Sequence, residues 1–585
     1  MSTAERFDRI AAQFPNKIAI KYESDKLTYS ELQLKANTIA HHIKALGPDK
    51  GQVAFFLSFG IEQFVTLFGI LKAGSAYVPI DTSWPAHRIE FSLADSESAA
   101  VITDNTNLGQ VKALCGESKI INIDEIDFSE NTAQPGSYPS ADDIQHILYT
   151  SGSTGEPKGV YTSHRNQMHF LKRFTELIDI SSDDIFAYYF SIGFSAHAMP
   201  TLGTLLNGGT LVMYNLKKNG FPGLDEFFNE EMITICLMIP SVLRHFRATL
   251  EPGFKIKKLR TLLIGGETLY FNDIKQTQPF LKRKTEIINI YASTELYLSC
   301  AYRITPDTYL KQNIIPIGQA MEGFEINIHN EDGKLCEKNQ IGEMIIQSPY
   351  SALGYWKKPE LTKIDFPDGE VRKFNSRDLA YMDEDGFIVH VGRKDSMVKI
   401  RGQRVDLGEV ENTLLFSEDV QEVAAVMKQD PLGNKILVAY YVCSPGKNVE
   451  LPEISNALNR RLPDFMIPKV ILKLEKLPKN ASGKTDYLSL PDPDWERGTG
   501  NEDIKHASNP IEKSLIELFE KHLEIYPIGV KDDILKAGHD SLKMFVAFDS
   551  IEKEFGIKLV LDDFMEEPTV ESLAKIVTNL QNKQA

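Results

Sequence analysis

A run of glycines, hydroxyl side chains and one lysine, LYTSGSTGEPKGV at Leu148–Val160, is the segment whose residue types best fit a chemical task. Its three glycines let the backbone approach phosphate oxygens closely, and its four Ser/Thr hydroxyls can donate to those oxygens. Lys158 adds a positive charge. A Walker A pattern is absent, and Pro157 changes the loop geometry. The run indicates a phosphate-binding loop; on composition alone, a flexible surface loop is the alternative.

The elements that must position this run alternate between short β-rich runs and helical stretches, from Lys17 to about Asp395. Val53–Gly60 and Ala99–Asp104 predict buried strands, and Ile61–Gly74 predicts a helix that ends at its glycine. Strands that alternate with helices predict an α/β architecture with mainly parallel sheets. The region is too long for one ordinary domain, so we expect packed subdomains.

Beyond Ser396 the pattern changes to a small α+β module, and Pro491–Ser508 is polar and aperiodic, as an interdomain linker is. Asn509 and Pro510 predict a helix start, and apolar stripes at Ser541–Phe555 and Thr569–Gln581 predict a small helix bundle. We therefore expect a large N-terminal lobe at 1–394, a small α+β lobe at 395–490, a linker at 491–508 and an all-α four-helix domain at 509–585.

Composition limits the function classes. The 585-residue chain is 42% hydrophobic and 25% charged, as globular proteins are, and its net charge of −17 argues against binding of a nucleic-acid backbone. Its five cysteines show no CxxC spacing, so we expect neither a disulfide framework nor a zinc site. No secretory signal or apolar membrane segment is evident, which predicts a cytoplasmic protein.

Six segments together resemble, in order, the adenylate-forming superfamily, which includes acyl-CoA synthetases, luciferases and the adenylation domains of nonribosomal peptide synthetases. The resemblance covers roughly the first 490 residues. Two of the segments, LKAGSAYVPID and GYWKKPELT, resemble the peptide-synthetase branch in particular. The segments are LKAGSAYVPID (Leu71–Asp81), Leu148–Val160, IYASTE (Ile290–Glu295), GYWKKPELT (Gly354–Thr362), GRKDSMVKIRGQRVDLGEVE (Gly392–Glu411) and NASGK (Asn480–Lys484). The resemblance implies ATP-dependent activation of a carboxylic acid as an acyl-adenylate.

The resemblance also implies roles for single residues. Tyr291 would stack on adenine, Asp378 would bind the ribose hydroxyls, Thr294 would contact the α-phosphate and Glu295 would help to hold Mg²⁺. Lys484 would bridge the carboxylate and the α-phosphate, where a lysine and a divalent cation offset the charge that builds up. The positions expected to bind ATP or AMP are Thr150, Ser151, Gly152, Ser153, Thr154, Gly155, Lys158, Gly266, Tyr291, Asp378 and Arg393.

Two further features come from the resemblance. Asp395 matches a hinge about which the small lobe of relatives rotates, so that the loop around Gly402 replaces the Lys484 loop for thioester formation. Family members often have Thr-Gly-Asp where this chain has Ser376-Arg377-Asp378. The ribose-binding acid is therefore kept, and the geometry of the loop at Arg377 is left open.

The substrate pocket of amino-acid-activating relatives carries an aspartate that pairs with the α-ammonium group, and the matching residue here is Ser195. A hydroxyl cannot replace that ion pair in a dry pocket. We therefore predict a small hydroxy, keto, aryl or aliphatic acid, with an alignment slip or another amine-binding group as the alternative. The pocket positions are Ser195, Ala196, Met199, Leu237, Leu263, Gly265, Ile290, Leu298 and Ser299.

The C-terminal segment AGHDSLKMF (Ala537–Phe545) resembles the modification site of peptidyl and acyl carrier proteins, in which a serine, here Ser541, receives 4′-phosphopantetheine. Asp-Ser at a helix start is otherwise usually a cap. A tethered arm would raise the effective concentration of its thiol near the adenylate. The resemblance implies a phosphopantetheinyl transferase and a downstream condensation or tailoring enzyme as partners, and it leaves a small activating protein open.

The resulting prediction is an adenylation–thiolation didomain that acts as a loading module of nonribosomal peptide-type biosynthesis, with ATP, Mg²⁺ and phosphopantetheine as cofactors. Two other classes remain. An acyl-CoA synthetase with an incidental helical tail would use free CoA or a separate carrier, and Ser541→Ala would change nothing. A scaffold that has lost its chemistry would fail to exchange pyrophosphate into ATP. The chain shows no reductase, condensation or thioesterase domain, so we expect the product to pass to another protein.

Overall fold

The structure is a computed structural model, and contacts divide the chain into two units, 1–394 with 481–484 and 395–480 with 485–585. The described residues are 1–47, 51–84, 86–115, 120–150, 157–221, 223–305, 314–367, 371–394, 397–400, 403–415, 417, 419–429, 435–449, 451–459, 462, 466–480, 484–493, 507–523, 528–532, 534, 541–559, 564 and 568–584.

The first unit contains two mainly parallel sheets with helices between their strands. Its strands are β1 (Ile18–Tyr22), β2 (Asp25–Thr28), β3 (Gln52–Phe56), β4 (Ala76–Pro79), β5 (Ala100–Thr103), β6 (Ile120–Asn122), β7 (Ile144–Thr150), β8 (Lys158–Ser163), β9 (Ile185–Tyr188), β10 (Thr210–Met213), β11 (Ile235–Met238), β12 (Thr261–Gly265), β13 (Glu286–Ser293), β14 (Tyr297–Ile304), β15 (Gln319–Ala320), β16 (Glu325–His329), β17 (Gly342–Gln347), β18 (Gly354–Tyr355), β19 (Lys373–Met382) and β20 (Ile388–Arg393).

Most helices of this unit lie between consecutive strands in the chain. The helices are α1 (Thr3–Gln13), α2 (Tyr29–Ala45), α3 (Glu62–Ala73), α4 (Ala86–Ser96), α5 (Leu108–Cys115), α6 (His164–Ile178), α7 (Ala198–Leu205), α8 (Leu216–Asn219), α9 (Leu224–Glu230), α10 (Pro240–Ala248), α11 (Phe271–Thr277) and α12 (Pro359–Asp365). The predicted glycine stop is confirmed, because Gly74 ends α3 in the left-handed conformation at φ 85°.

One sheet has nine strands in the order β15-β14-β13-β12-β11-β9-β10-β1-β2, and another has seven in the order β18-β8-β7-β4-β3-β5-β6. Parallel pairing runs from β1 through β13 in the first sheet and from β7 through β6 in the second. The central strands β4, β5, β11 and β12 are buried along their whole length, as parallel strands covered by helices on both faces are. The α/β architecture predicted for this region is therefore confirmed.

A four-stranded sheet, β16-β17-β19-β20, is antiparallel throughout and departs from the parallel expectation. Its strands alternate buried and half-buried residues, because one face packs on an apolar cluster and the other faces water. No helical segment separates β19 from β20, so the chain returns directly and antiparallel pairing follows. This sheet carries Asp378 and Arg393, which face each other in the register of β19 and β20.

The second unit begins with an α+β module. It consists of the hairpin β21 (Met397–Ile400) and β22 (Gln403–Asp406), the sheet β23 (Val420–Gln429), β24 (Lys435–Cys443) and β25 (Val470–Lys473), and the helices α13 (Leu407–Leu414) and α14 (Leu451–Asn459). β24 pairs antiparallel with β23 and parallel with β25. The helices and the sheet share one apolar cluster, so the module has its own core.

The last part of the unit contains the helices α15 (Pro510–Leu523), α16 (Ser541–Phe555) and α17 (Val570–Gln584) among its described residues. The predicted helix start is confirmed, because the Glu512 N–H donates to Asn509 Oδ1 at 2.9 Å. Leu515, Phe519, Ile551 and Leu573 are fully buried in a cluster of these helices. In the described part of the chain, no helix is long and apolar enough to cross a membrane.

Candidate active site

Strand β13 ends at the candidate nucleotide site. Its residues Ile287–Ile290 are buried, Tyr291 is half-buried, and the chain then turns through Thr294 and Glu295 into β14. Ser293 pairs with Tyr297 across this turn, and Tyr297 adopts φ 55°, which is uncommon for a non-glycine residue. The tight turn places Tyr291, Thr294 and Glu295 at one end of the nine-stranded sheet.

Asp378 lies beside Tyr291 and also contacts two other polar side chains, Arg393 and His390. The Tyr291 hydroxyl donates to Asp378 Oδ2, while Arg393 Nη1 and His390 Nε2 lie 3.3 Å and 3.4 Å from Asp378 Oδ1. Burial acts to raise the pKa of Asp378, but His390, Arg393 and the Tyr291 hydroxyl together lower it below its usual value. Burial and the Asp378 carboxylate raise the pKa of Tyr291, so its hydroxyl stays protonated. The site thus holds an ionised carboxylate beside an aromatic ring.

Lys158 and Glu295 meet in a second cluster. Lys158 Nζ lies 3.2 Å from Glu295 Oε1 and donates to the Tyr355 hydroxyl at 2.8 Å. The Tyr355 hydroxyl lies 3.1 Å from Glu295 Oε1 and 3.0 Å from Asp365 Oδ2, and Arg377 Nη2 donates to Asp365 Oδ1 at 2.9 Å. Burial and the two carboxylates raise the pKa of Tyr355. Two cations, two anions and one hydroxyl therefore form a balanced cluster in which Tyr355 is buried.

The predicted substrate pocket adjoins this site, because Thr294 Oγ1 donates a hydrogen bond to Ser195 Oγ at 2.9 Å. Leu237, Leu263, Ile290 and Leu298 lie on the adjacent strands β11 to β14 and belong, with Met199, to one buried apolar cluster. Ala196 follows Ser195 in a short 3₁₀-helix, and Ser299 on β14 is fully buried. The structure therefore brings the predicted positions together at the ends of neighbouring strands and the start of α7.

Two glycines shape the chain between pocket and nucleotide site. A Cβ on Gly265 would lie 2.6 Å from Ile290 Cγ1 and 2.7 Å from Ile290 O, so only glycine allows this strand contact. Gly266 follows at φ 87°, a conformation that favours glycine. Lys484 belongs to the first unit, and its Nζ donates to Gly266 O at 2.8 Å. The predicted catalytic lysine thus contacts the backbone beside the predicted pocket.

Several predicted positions lie outside the described residues: Ser151, Gly152, Ser153, Thr154 and Gly155 of the phosphate loop, Asp395 of the hinge, and Gly402. Thr150, at the end of β7, is described and half-buried. Ser541 is the first residue of helix α16, and only its backbone is described.

Three residues of these clusters were not singled out from the sequence. Tyr355 lies inside the GYWKKPELT segment, so the sequence marked its position but did not indicate its role. His390 and Asp365 carried no signal, because they reach Asp378 and Arg377 only through the pairing of β19 with β20 and the end of α12.

The donor set is suited to a magnesium ion that arrives with a nucleotide. No group of three or more His, Cys, Asp or Glu side chains that could hold a metal is found among the described residues. Mg²⁺ is usually bound through one or two carboxylates together with substrate phosphates and water. The Glu295 carboxylate, 3.2 Å from Lys158 Nζ, is a group of this kind, and its roles in binding a metal ion and phosphate remain predictions.

Family models match three parts of the chain. They are described as AMP-binding enzyme (residues 7–356), AMP-binding enzyme C-terminal domain (409–484) and phosphopantetheine attachment site (513–577). The predicted family, an adenylation domain joined to a carrier domain, is therefore confirmed.

Curated relatives include bacitracin synthase 3 of Bacillus licheniformis, 31% identical over 98% of this chain, and tyrocidine synthase 1 of Brevibacillus parabrevis, 29% identical over all of it. The chain spans 9% of the length of the first and 53% of the second. Each match therefore covers both the adenylation and the carrier parts of this chain, while both relatives are much longer than the chain.

Solved structures agree in fold. A holo four-domain nonribosomal peptide synthetase bound to AMP and glycine aligns over 99% of this chain and 43% of its own, with a TM-score of 0.75 and 24% identity. Klebsiella oxytoca NpsA in complex with 3-hydroxyanthranilyl-AMSN aligns over 83% of this chain and 98% of its own, with a TM-score of 0.70 and 25% identity. The predicted fold class is confirmed.

Proposed function

The chain belongs to the AMP-binding enzyme family, and from this premise we propose that it is an ATP-dependent, AMP-forming acid–thiol ligase. It activates a small carboxylic acid as an acyl-adenylate and transfers the acyl group to a phosphopantetheine arm on Ser541 of its own carrier domain. The observation that carries this proposal is the convergence of Tyr291, Asp378, Glu295 and Lys158 around the end of β13, in a chain that also contains an attachment-site domain.

The nucleotide roles follow from the contacts in the first unit. An ionised Asp378 can accept hydrogen bonds from two ribose hydroxyls, and its contacts with His390, Arg393 and the Tyr291 hydroxyl lower its pKa and keep it charged. Tyr291, tied to Asp378 through its hydroxyl, presents a fixed ring face for adenine. We assign the triphosphate to Lys158, Thr294 and the Thr150–Gly155 loop, with Gly266 giving backbone room beside Lys484.

Mg²⁺ fits at Glu295, where it would supply charge neutralisation for the phosphate oxygens. In the first half-reaction a carboxylate oxygen of the acid bonds to the α-phosphorus, and the bond from that phosphorus to the bridging oxygen of pyrophosphate breaks. Thr294 and Lys484 stabilise the negative charge that accumulates there. In the second, the thiol loses its proton and its sulfur bonds to the acyl carbon, and the bond from that carbon to the phosphate oxygen of AMP breaks, so that AMP leaves. We propose that Asp395 is the hinge for a change of conformation between the two half-reactions, and that the loop around Gly402 serves the second. The proposed domains are the large lobe at 1–394, the small lobe at 395–490, the linker at 491–508 and the carrier domain at 509–585.

Asp378→Asn should raise the KM for ATP about tenfold with a smaller effect on kcat, because an amide offers one acceptor where the carboxylate offers two. Pyrophosphate exchange at varied ATP measures both constants. Asp332→Asn, at an exposed turn, is the matched control and should behave as wild type. An unchanged KM for ATP in Asp378→Asn would remove Asp378 from the ribose site.

We propose further that the substrate is not an ordinary α-amino acid and that the chain serves as a loading module. Ser195 hydrogen-bonds Thr294, and the other pocket positions are uncharged, so no carboxylate among them would pair with an ammonium group. His197, two residues from Ser195, is fully buried, and burial lowers its pKa to about 3, so it adds no charge either. The aryl group in the NpsA complex is consistent with an acid of this kind.

Ser195→Asp should lower exchange with the preferred acid at least about tenfold, because it places an unpaired carboxylate in an apolar pocket. Ser195→Asn, similar in size and without charge, is the control and should retain more activity. Pyrophosphate exchange with the same acid measures both variants. If the aspartate variant works as well as the asparagine variant, charge at this position does not select the substrate.

The proposed function is tested by ATP–pyrophosphate exchange over a panel of aryl, hydroxy, keto, aliphatic and α-amino acids. Exchange that depends on one of the first four classes is expected. Exchange with an α-amino acid alone would contradict the substrate proposal, and no exchange with any acid would favour a scaffold. A phosphopantetheinyl transferase and an enzyme that consumes the loaded carrier are the partners that the attachment-site domain requires.

A further inference from the structure

A chain of polar contacts joins strand β19, which carries Asp378, to the pair Lys158 and Glu295. Arg377 donates to Asp365, and the Tyr355 hydroxyl lies within hydrogen-bond distance of Asp365, Glu295 and Lys158. The side chains of Asp365 and Glu295 are 6% and 11% exposed, so these contacts are largely shielded from water. We call Arg377, Asp365 and Tyr355 the 355 relay.

Arg377 occupies a backbone conformation that does not suit it. Its φ of 61° lies in the left-handed region, where a long side chain is uncommon and glycine is not strained. The conformation leads directly into Asp378, whose N–H donates to Ser376 Oγ at 3.0 Å. An arginine here therefore carries a backbone cost, and its guanidinium is used in the ion pair with Asp365.

The Tyr355 hydroxyl has one proton and three polar neighbours. Its oxygen accepts from Lys158, so its proton can go to either Glu295 or Asp365 but not to both at once. The Lys158–Glu295 pair must open when these side chains take up phosphate and Mg²⁺. Asp365, held by Arg377, is the acceptor that remains for the hydroxyl proton when Glu295 turns to a metal ion.

We propose that the 355 relay is a positioning device, in which Arg377 and Asp365 hold the Tyr355 hydroxyl so that Lys158 and Glu295 are set for the triphosphate and its Mg²⁺. This inference rests on the proposed function for the identity of the ligand. Tyr355 acts through Lys158 and Glu295. Its ring also packs at 5.7 Å against Phe366, so its loss could act on the fold alone, and the test must separate the two effects.

Tyr355→Phe removes only the hydroxyl and keeps the ring. We expect it to weaken binding of a non-hydrolysable ATP analogue about tenfold in the presence of Mg²⁺ and to raise the Mg²⁺ concentration needed for half-maximal binding. Binding in EDTA should change much less. Calorimetry of the full-length protein gives these values without turnover, and Tyr302→Phe, whose ring contacts Phe387 elsewhere in the unit, is the control.

Arg377→Gly separates positioning from stability, because glycine relieves the backbone while the ion pair to Asp365 is lost. We expect an unchanged or higher melting temperature together with a raised Mg²⁺ requirement, and partial rescue by Arg377→Lys. The double variant Tyr355→Phe/Arg377→Gly should be no worse than Tyr355→Phe, since both changes interrupt one relay.

An unchanged Mg²⁺ requirement in Tyr355→Phe, or additive losses in the double variant, would overturn the relay. Wild-type protein that binds the Mg²⁺–nucleotide analogue but exchanges pyrophosphate with no acid would contradict the proposed function, while the same binding data still decide on the relay. Wild-type protein that binds no nucleotide would contradict both.

Discussion

Lys484→Ala is expected to lower the rate of acid-dependent pyrophosphate exchange by about a hundredfold to a thousandfold, the range found when one preorganised charge is removed from a transition state. Lys484 Nζ contacts Gly266 O beside the proposed pocket, and no other lysine was assigned to the bond that forms at the α-phosphorus. The loss should fall mainly on kcat, because the charge matters most while the phosphorus is attacked.

Lys476→Ala is the matched control for this prediction, since Lys476 is an exposed lysine of the same segment. The second half-reaction offers an internal check: transfer from a chemically prepared acyl-adenylate should be much less affected in Lys484→Ala than its formation. An exchange rate within twofold of wild type would contradict the role proposed for Lys484.

Ser541→Ala is expected to abolish acyl loading while leaving pyrophosphate exchange at the wild-type rate. The serine is the only attachment point proposed for the arm, and it begins helix α16. The nucleotide site, in contrast, is built from residues of the first unit. Incubation with a phosphopantetheinyl transferase and then with labelled acid and ATP measures loading, and exchange is measured on the same preparation.

Ser550→Ala, in the same helix, controls for loss of the helical domain and should load normally. If Ser541→Ala still transfers the acyl group to a thiol, and free CoA is the acceptor, the chain is an acyl-CoA synthetase and the helical domain is incidental. If exchange falls together with loading, the substitution has disturbed more than the attachment point.

Local signals in the sequence were sufficient for many helix limits. The helix Ser541–Phe555 was predicted with both ends correct. Gly74 ends α3, as expected of a glycine at the end of a helical apolar pattern. Strand β3 was predicted too long, since it ends at Phe56 rather than Gly60. The reason is that the Ser58 N–H donates to the Asp104 side chain at 2.7 Å and leaves the ladder, and apolar composition gives no sign of this bond.

The site was predictable where its residues stand in short motifs. Tyr291, Thr294 and Glu295 follow one another along a single strand end, so one motif is enough to place them together. The contacts of Asp365 and His390 depend on how the consecutive elements α12, β19 and β20 pack and pair, and one sequence without structure does not show this. The Thr294–Ser195 bond, across 99 residues, is of the same kind.

Intact-protein mass is the most direct measurement of self-loading. The full chain would be converted to its phosphopantetheine form and incubated with ATP, Mg²⁺ and a mixed panel of acids that includes α-amino acids. We predict a gain equal to the acyl group of one non-amino acid, which Ser541→Ala and Lys484→Ala both lack. Acid-dependent pyrophosphate exchange with no gain in mass would contradict transfer to the chain's own carrier domain.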